Sequence, residues 1–383
     1  MQEYRVVVPR EKRYFILSLL LLPILFMYAT PIPGFTVGDA FFVLSFSIMV
    51  IKGKGVRIQR SIIPILIYVV TLTFFCILEG SLQKPTTSLR YIIYLIGVAF
   101  MPSIEQCGDY VHKTLNRIGY FIMIILIIQF VALTFFDIIV PGLLTFLPLT
   151  DTDMHNYSEG FEIAGRCMSV FAEPSHYAIY SILFLSYKLF ENKGLTLKAL
   201  IIPIVISLSI IMCASFTGFI CMIGVWGLKL IRELKNGNIA FWMIVPLALA
   251  SFLILAGIAM TSSGSYLTNS EVYDNQSVGR FAGYSFLLEE VGKTPFSLLF
   301  GHGMNDIAEL EYLPGWPRLL YYYGIIGGLI YIISFLRCAR KGSFSMVLMI
   351  VIAGLMVGTE MNFSSFIMPY MTVVVSSKKA FNV

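Results

Sequence analysis

Two polar stretches, residues 138–175 and 261–317, hold the residues best suited to chemistry on anionic substrates. Each contains a Gly-Arg pair, Gly165-Arg166 in the first and Gly279-Arg280 in the second. A guanidinium offers a rigid fork of donors that matches phosphate or carboxylate oxygens. A salt bridge to a nearby carboxylate is the simpler explanation for either arginine alone, but the recurrence in both stretches favours an anion site. Arg318, just after the second stretch, is a third candidate for binding the anion.

Candidate acid–base residues accompany these arginines. Glu173, in the run FAEPSHY, is a carboxylate suited to accept a proton, and His302 and His176 are further candidates. Each has a structural alternative. A carboxylate before a proline also favours a helix start, His176 fits a structural role better than a catalytic one, and glycines flanking His302 allow a turn as readily as close approach to a ligand. Candidate substrate-binding residues nearby are Asn305, Asp306, Tyr177 and Trp316.

Other kinds of chemistry find little support in the sequence. The six cysteines show no pairing pattern, and no CxxC or HExxH spacing indicates a metal site. We therefore expect neither a metal nor a cofactor. The net charge of +5 follows from basic residues between apolar runs and gives no reason to expect nucleic acid as a partner.

The elements that must position these residues are membrane helices. Hydrophobic residues make up 57% of the chain and charged residues only 13%, where soluble domains have about 25% charged residues. Apolar runs of the length that crosses a bilayer must form helices, because lipid leaves backbone groups no other partners. We predict an all-α, polytopic bundle of about twelve spans, at 14–30, 35–51, 61–79, 89–104, 118–137, 175–190, 199–213, 216–230, 240–260, 318–336, 344–361 and 363–377. The first is interpreted as an uncleaved helix.

Basic residues set the predicted orientation. With the N- and C-termini in the cytoplasm, only six of the 27 Lys and Arg residues lie outside and 21 lie inside, as the positive-inside rule requires. The two long stretches then become outer loops, called here the first outer loop (138–175) and the second outer loop (261–317). In the second, Arg280–Val291 reads as an amphipathic helix suited to the membrane interface. Tyr321–Tyr323 with Trp316 read as an interfacial aromatic belt.

The layout and motifs together resemble those of the Wzy-type O-antigen and capsular polysaccharide polymerases. The resemblance includes Gly165-Arg166 followed by Phe171-Ala172-Glu173-Pro174-Ser175, and Gly279-Arg280 followed by Gly301-His302-Gly303. A Tyr-Gly-x-x-Gly-Gly-x-Ile run from Tyr323 to Ile330 also fits. The matching motifs amount to about thirty residues, so the topology carries much of the comparison.

The resemblance implies a metal-independent glycosyltransferase of the C type in the bacterial inner membrane, with a periplasmic active site. Its donor and acceptor would be oligosaccharide repeat units on undecaprenyl diphosphate, and a chain-length regulator is an implied partner. The similar O-antigen ligases typically hold a histidine near the end of the second loop, whereas here His302 lies some fourteen residues before Trp316. A flippase for lipid-linked oligosaccharides is expected to place basic residues inside the bundle, and the predicted spans contain almost none. Ion-coupled transport is disfavoured because no midplane acidic residue or broken helix is evident.

Overall fold

A computed structural model describes residues 8–53, 55–144, 146–158, 165–191, 196–237, 283–287, 289, 294–304, 313–339, 343–357 and 364–376. Within these ranges the regular elements are helices, and no strand occurs. They are α1 (Arg10–Leu25), α2 (Val37–Lys52), α3 (Ile63–Leu78), α4 (Pro85–Phe100), α5 (Gly108–Phe136), α6 (Asp151–Tyr157), α7 (Pro174–Glu191), α8 (Leu197–Met212), α9 (Phe216–Lys235), α10 (Pro295–Phe300), α11 (Gly315–Ala339), α12 (Ser343–Leu355) and α13 (Met368–Ser376). Short 3-10 turns precede α3 and join α4 to α5.

The all-α prediction is confirmed for these residues, and eleven of the twelve predicted spans coincide with helices. The remaining one, 240–260, lies outside the described residues. Three helical runs are long and apolar enough to cross a membrane, namely Arg60–Leu78, Pro85–Phe136 and Gly315–Cys338, and Lys198–Met212 and Phe344–Leu355 are shorter apolar helices. The chain is therefore an all-α membrane protein by composition and length, while the count of twelve spans and their orientation stay predictions.

The chain divides into two compact units. The first comprises Met1–Leu115, Tyr284–Met349 and Glu360–Val383, and the second comprises Asn116–Gly283 and Ile350–Thr359. In the first unit, α2 packs along α1. The Ser45 hydroxyl of α2 donates a 2.6 Å hydrogen bond to the Ser18 hydroxyl of α1. Helix α11 packs against α3, and α13 packs against α1.

Helix α7 is the centre of the second unit. It packs against both α8 and α9, and its only residues that are not buried are Ser175 and His176 at its start and Lys188 and Glu191 at its end. A helix that is apolar around its whole circumference belongs in a core. Glycines permit the closest approaches: a Cβ at Gly218 of α9 would lie 2.5 Å from the Cβ of Ala178. The side chains of α7 that are not buried therefore lie at its two ends, and the end that begins the helix adjoins the first outer loop.

Helix α9 contains a buried ion pair one helical turn apart. The Lys229 ammonium lies 2.8 Å from the Glu233 carboxylate, with the two side chains 1% and 2% exposed. Lys229 also lies over the ring of Phe190 in α7. Lys229 lies at the end of the predicted span 216–230 and is buried there, because the Glu233 carboxylate and the Phe190 ring replace the solvation it loses.

Candidate functional site

The start of α7 brings together Glu173, Ser175 and His176. One Glu173 carboxylate oxygen accepts a hydrogen bond from the Ser175 hydroxyl at 2.5 Å and lies 3.6 Å from Nε2 of His176. The Glu173 carbonyl accepts the first helical bond, from the amide of Tyr177. Glu173 is thus the residue from which the helix begins, and its side chain remains about a third exposed. A part-exposed carboxylate in this position can accept a proton while a hydroxyl and an imidazole hold it in place.

Asp153 faces this group from α6. It is 8% exposed, although its neighbours Asp151, Met154 and His155 are exposed. Its carboxylate accepts a 2.5 Å hydrogen bond from the Thr150 hydroxyl. Burial raises the pKa of the Asp153 carboxyl and the negative charge of Glu173 raises it further, while the Thr150 hydrogen bond and His176 lower it. Asp153, Glu173 and His176 therefore act on one another electrostatically.

The chain reaches Glu173 through a segment that runs back along α5, called here the re-entrant segment (165–173). Cys167 to Ala172 are all buried, although the sequence places them in an outer loop. The Ser169 hydroxyl donates to the Ile122 carbonyl at 2.6 Å, about two turns further into α5 than Gln129. Because α5 continues seven residues beyond Gln129, the point that Gln129 contacts lies about 10 Å from the C-terminal end of α5.

Gln129 holds this segment in place. Its side-chain NH₂ lies 3.0 Å from the Ser169 carbonyl and 3.1 Å from the Val140 carbonyl, and its oxygen accepts from the Ser169 amide at 2.7 Å. Sequence reasoning passed over Gln129 and Asp153. A lone amide in the apolar run of α5 was the available signal, since polar groups inside spans are costly unless they are bonded. No comparable signal marked Asp153 among the polar residues of its loop.

Arg166, at the start of the re-entrant segment, reaches the turn between α8 and α9. Its guanidinium donates to the Ala214 carbonyl at 3.0 Å. The neighbouring Cys213 thiol lies 3.6 Å from the carbonyl of Pro174, so Arg166 and the start of α7 border the same turn. Tyr177, a candidate for substrate binding, is fully buried, and its hydroxyl donates to Ser209 at 2.6 Å.

His302 belongs to the first unit, where its surroundings are backbone and rings. The amides of His302 and Gly303 donate to the carbonyls of Tyr321 and Tyr322, and the imidazole stacks on the Tyr321 ring at 4.6 Å. A Cβ at Gly301 would lie 2.5 Å from the Tyr322 carbonyl. The glycines here permit close packing of one chain segment on another.

Helix α11 is interrupted where this segment docks. Gly324 has φ +62° and ψ −171°, and the Tyr68 hydroxyl of α3 lies 2.8 Å from the Tyr323 carbonyl and 3.0 Å from that of Phe300. The expected absence of a broken helix is therefore wrong. Tyr321 and Tyr323 are buried, Tyr323 stacks on Tyr91, and these two residues form part of the unit's interior instead of an interfacial belt.

The remaining candidates are placed less deeply or fall outside the described residues. Trp316 and Arg318, in the first turn of α11, are half-buried. Arg280, Asn305 and Asp306 lie outside the described residues. The predicted amphipathic helix is helical at 283–287, where Leu287 packs on Leu313 and Tyr321.

Arg90, one of the six predicted outer basic residues, forms an ion pair with Asp39. Its Nε donates to the Asp39 carboxylate at 2.9 Å, its NH₂ group bonds the Gly34 carbonyl, and Tyr94 donates to the second Asp39 oxygen at 2.5 Å. Asp39 also accepts from the Thr36 amide in a capping box. This arginine joins α1–α2 to α4 through contacts within the protein.

Among the described residues, no three His, Cys, Asp or Glu side chains are arranged as a metal site requires. Comparison with protein-family models, curated proteins and solved structures finds no significant similarity to this chain.

Proposed function

We propose that this protein is a polysaccharide polymerase of the bacterial inner membrane. It transfers a growing glycan from undecaprenyl diphosphate to a lipid-linked repeat unit on the periplasmic side. The observation that carries the proposal is the group at the start of α7: a part-exposed Glu173, held by Ser175 and His176, in a chain segment that also contains Arg166. The motif resemblance and the placement of basic residues support the same assignment.

The charges near the start of α7 suit a donor that carries a lipid diphosphate. Such a donor needs cationic groups at the membrane surface and a base facing the aqueous side. Arg166 supplies the first and Glu173 the second.

The reaction assigned to these residues balances without a cofactor. The acceptor hydroxyl attacks the anomeric carbon of the donor glycan, the bond from that carbon to the diphosphate oxygen breaks, and the electron pair leaves with the lipid diphosphate. Glu173 takes the hydroxyl proton, which is later released to the outer solution. Arg166 stabilises the charge that grows on the diphosphate, with Arg280 and Arg318 as further candidates for the same role.

Of the three candidate bases, Glu173 is favoured. His176 touches Glu173 and is suited to orient it, while the ring of His302 is engaged with Tyr321. Asn305, Asp306 and Trp316 remain candidates for sugar binding, and a chain-length regulator remains a candidate partner.

One observation favours a second function, O-antigen ligase. The separation of His302 from the end of the second loop counted against a ligase, yet His302 stacks on Tyr321, which follows that loop's end at Pro317. A ligase would transfer finished glycan to lipid A–core and would use His302 in place of Glu173. A flippase gains less support, because the buried Lys229 and the half-buried Arg90 are both ion-paired within the protein.

A deletion strain separates these functions. Its surface glycolipids, resolved on a gel with and without the restored gene, should show core carrying a single repeat unit when the gene is absent. Core without any repeat unit would contradict the polymerase. Lipid-linked polymer accumulating in that case would identify the ligase, and unpolymerised lipid-linked repeat units retained on the cytoplasmic side would identify the flippase.

A further inference from the structure

Gln129 is the side chain that joins the two ends of the first outer loop. Val140 lies where the chain leaves α5, and Ser169 lies four residues before Glu173. The Gln129 amide bonds the carbonyls of both and also accepts from the Ser169 amide. All three contacts are at hydrogen-bonding distance, and Gln129 is 1% exposed. A single buried amide therefore satisfies three backbone groups that lie away from any regular helix.

The backbone at Ser169 depends on this support. Its φ is +58°, a left-handed conformation that costs a non-glycine residue about 1–3 kcal/mol and persists where surrounding contacts impose it. The contacts that do so are the Gln129 amide and the bond from the Ser169 hydroxyl to Ile122. Close packing at Gly142 adds to them, because a Cβ there would collide with the Ser169 carbonyl.

We propose that Gln129 is a positioning residue for the reaction: its amide fixes the re-entrant segment and thereby sets the locations of Arg166 and Glu173. Arg166 lies three residues before Ser169 and Glu173 four residues after it, so both are tied to the point that Gln129 holds. The role in catalysis rests on the proposed function, whereas the control of loop geometry does not.

The rate at which Cys167 reacts with a maleimide reports on the position of the re-entrant segment. It lies in the re-entrant segment and its side chain is fully buried, so a membrane-impermeant maleimide added outside should not label it. When the segment is released toward the outer solution, the thiol becomes reachable. A variant that keeps Cys167 as its sole cysteine, and that retains wild-type polymer, is the background for the test.

In that background we would compare Gln129→Leu with Gln129→Glu. Leucine removes all three hydrogen bonds. Glutamate keeps the shape and still accepts from the Ser169 amide, but as a carboxylate it loses both donor contacts and faces two carbonyl oxygens. The matched control is Asn116→Leu, which removes another amide from the same helix without touching the loop.

Both Gln129 variants should label at Cys167 at least about tenfold faster than the background, and polymer made from undecaprenyl-diphosphate repeat units in proteoliposomes should fall in parallel, through kcat more than KM. The Asn116 variant should change neither. Lowering the pH should slow labelling of the Gln129→Glu variant more than that of the Gln129→Leu variant, because a protonated carboxyl regains one donor whereas loss of the reactive thiolate slows both variants alike. This variant still tests the proposal when the leucine variant does not fold.

Unchanged labelling in a folded Gln129 variant would overturn the proposal, and so would rapid labelling with wild-type polymer. If Cys167 becomes reactive in the Gln129 variants but the wild-type protein itself makes no polymer from these repeat units, the positioning of the loop stands and the proposed function fails.

Discussion

The start of α7 and the Gly301–Gly303 segment both read in the sequence as places where a ligand meets the chain, and they differ in what their polar atoms do. At α7, side chains contact side chains: Ser175 and His176 hold the Glu173 carboxylate, which stays part-exposed. At Gly301–Gly303, backbone contacts backbone, and the one functional side chain stacks on a ring. A histidine thus lies beside a part-exposed carboxylate in one unit and in a packing contact in the other. Five substitutions test that difference.

The largest effect is expected at Glu173. Glu173→Gln keeps the size of the side chain and its hydrogen bond with Ser175 but removes the base, so polymer formation should fall by about 1,000-fold to 10,000-fold, the upper part of the usual range for a general base, at unchanged protein level. Polymerisation of lipid-linked repeat units in proteoliposomes measures this. Glu191→Gln, at the opposite end of the same helix, is the matched control and should retain wild-type rates. A rate within threefold of wild type for Glu173→Gln would remove Glu173 as the base.

Arg166 should come next. Arg166→Ala removes a donor proposed to stabilise the leaving diphosphate and should lower the rate about 100-fold to 1,000-fold. Arg166→Lys should restore little of it, because an ammonium lacks the bidentate fork. The same assay, with membrane level checked by immunoblot, decides this. Full activity in the lysine variant would reduce the role to simple charge.

Substitution of Gly303 tests whether the Gly301–Gly303 segment serves to pack one part of the chain on another. It has φ +72°, and a Cβ there would lie 2.5 Å from the Cys76 sulfur, so Gly303→Ala should lower the free energy of unfolding by about 1–3 kcal/mol. Thermal unfolding in detergent measures the loss. Gly224→Ala in α9, where a Cβ would meet nothing within 4 Å, should leave the midpoint unchanged or raise it.

His302 separates the two proposed functions most directly. His302→Phe preserves a ring for stacking on Tyr321 and removes the titratable nitrogens. If Glu173 is the base, activity should fall less than about tenfold, which is below the usual cost of losing a general base. A loss comparable to that of Glu173→Gln would transfer the catalytic role to His302 and favour the ligase.

The smallest effect is expected at Asp153, and it depends on pH. Burial raises the pKa of this carboxyl in the folded protein, so its contribution to stability is fully present below the unfolded pKa and is lost as pH rises through the folded pKa. Asp153→Asn keeps an acceptor for Thr150 without this dependence.

The Asp153→Asn variant should therefore be at least as stable as wild type at pH 7, with wild type gaining on it by about 2–4 °C as the pH falls toward 4. Unfolding midpoints measured across that range test this. A wild-type protein that instead loses stability relative to the variant on acidification would show that the carboxylate form stabilises the fold. Asp151→Asn, exposed in the same helix, should show no such trend.

The sequence allowed the helices to be predicted because their apolar runs are local signals. Helix α7 was predicted to begin at residue 175 and begins at Pro174, since proline and the preceding carboxylate mark a first turn. The groups around that turn could not be predicted in the same way. Gln129 and Ser169 are 40 residues apart, and Asp153 comes to Glu173 through folding of an irregular loop, for which no periodicity exists. The break at Gly324 also escaped prediction, because its cause is the docking of a segment some twenty residues earlier.

The ion pair of Lys229 and Glu233 bears on how the predicted span 216–230 would enter the bilayer during synthesis. The two residues are four apart on one helix, so they meet as soon as that turn forms, before α7 is alongside. The two charges would then be inserted as a neutral pair, which costs less free energy in the bilayer than two separate charges. Reversing the order of the two residues should leave insertion efficiency nearly unchanged, whereas replacing Glu233 alone with glutamine should lower it.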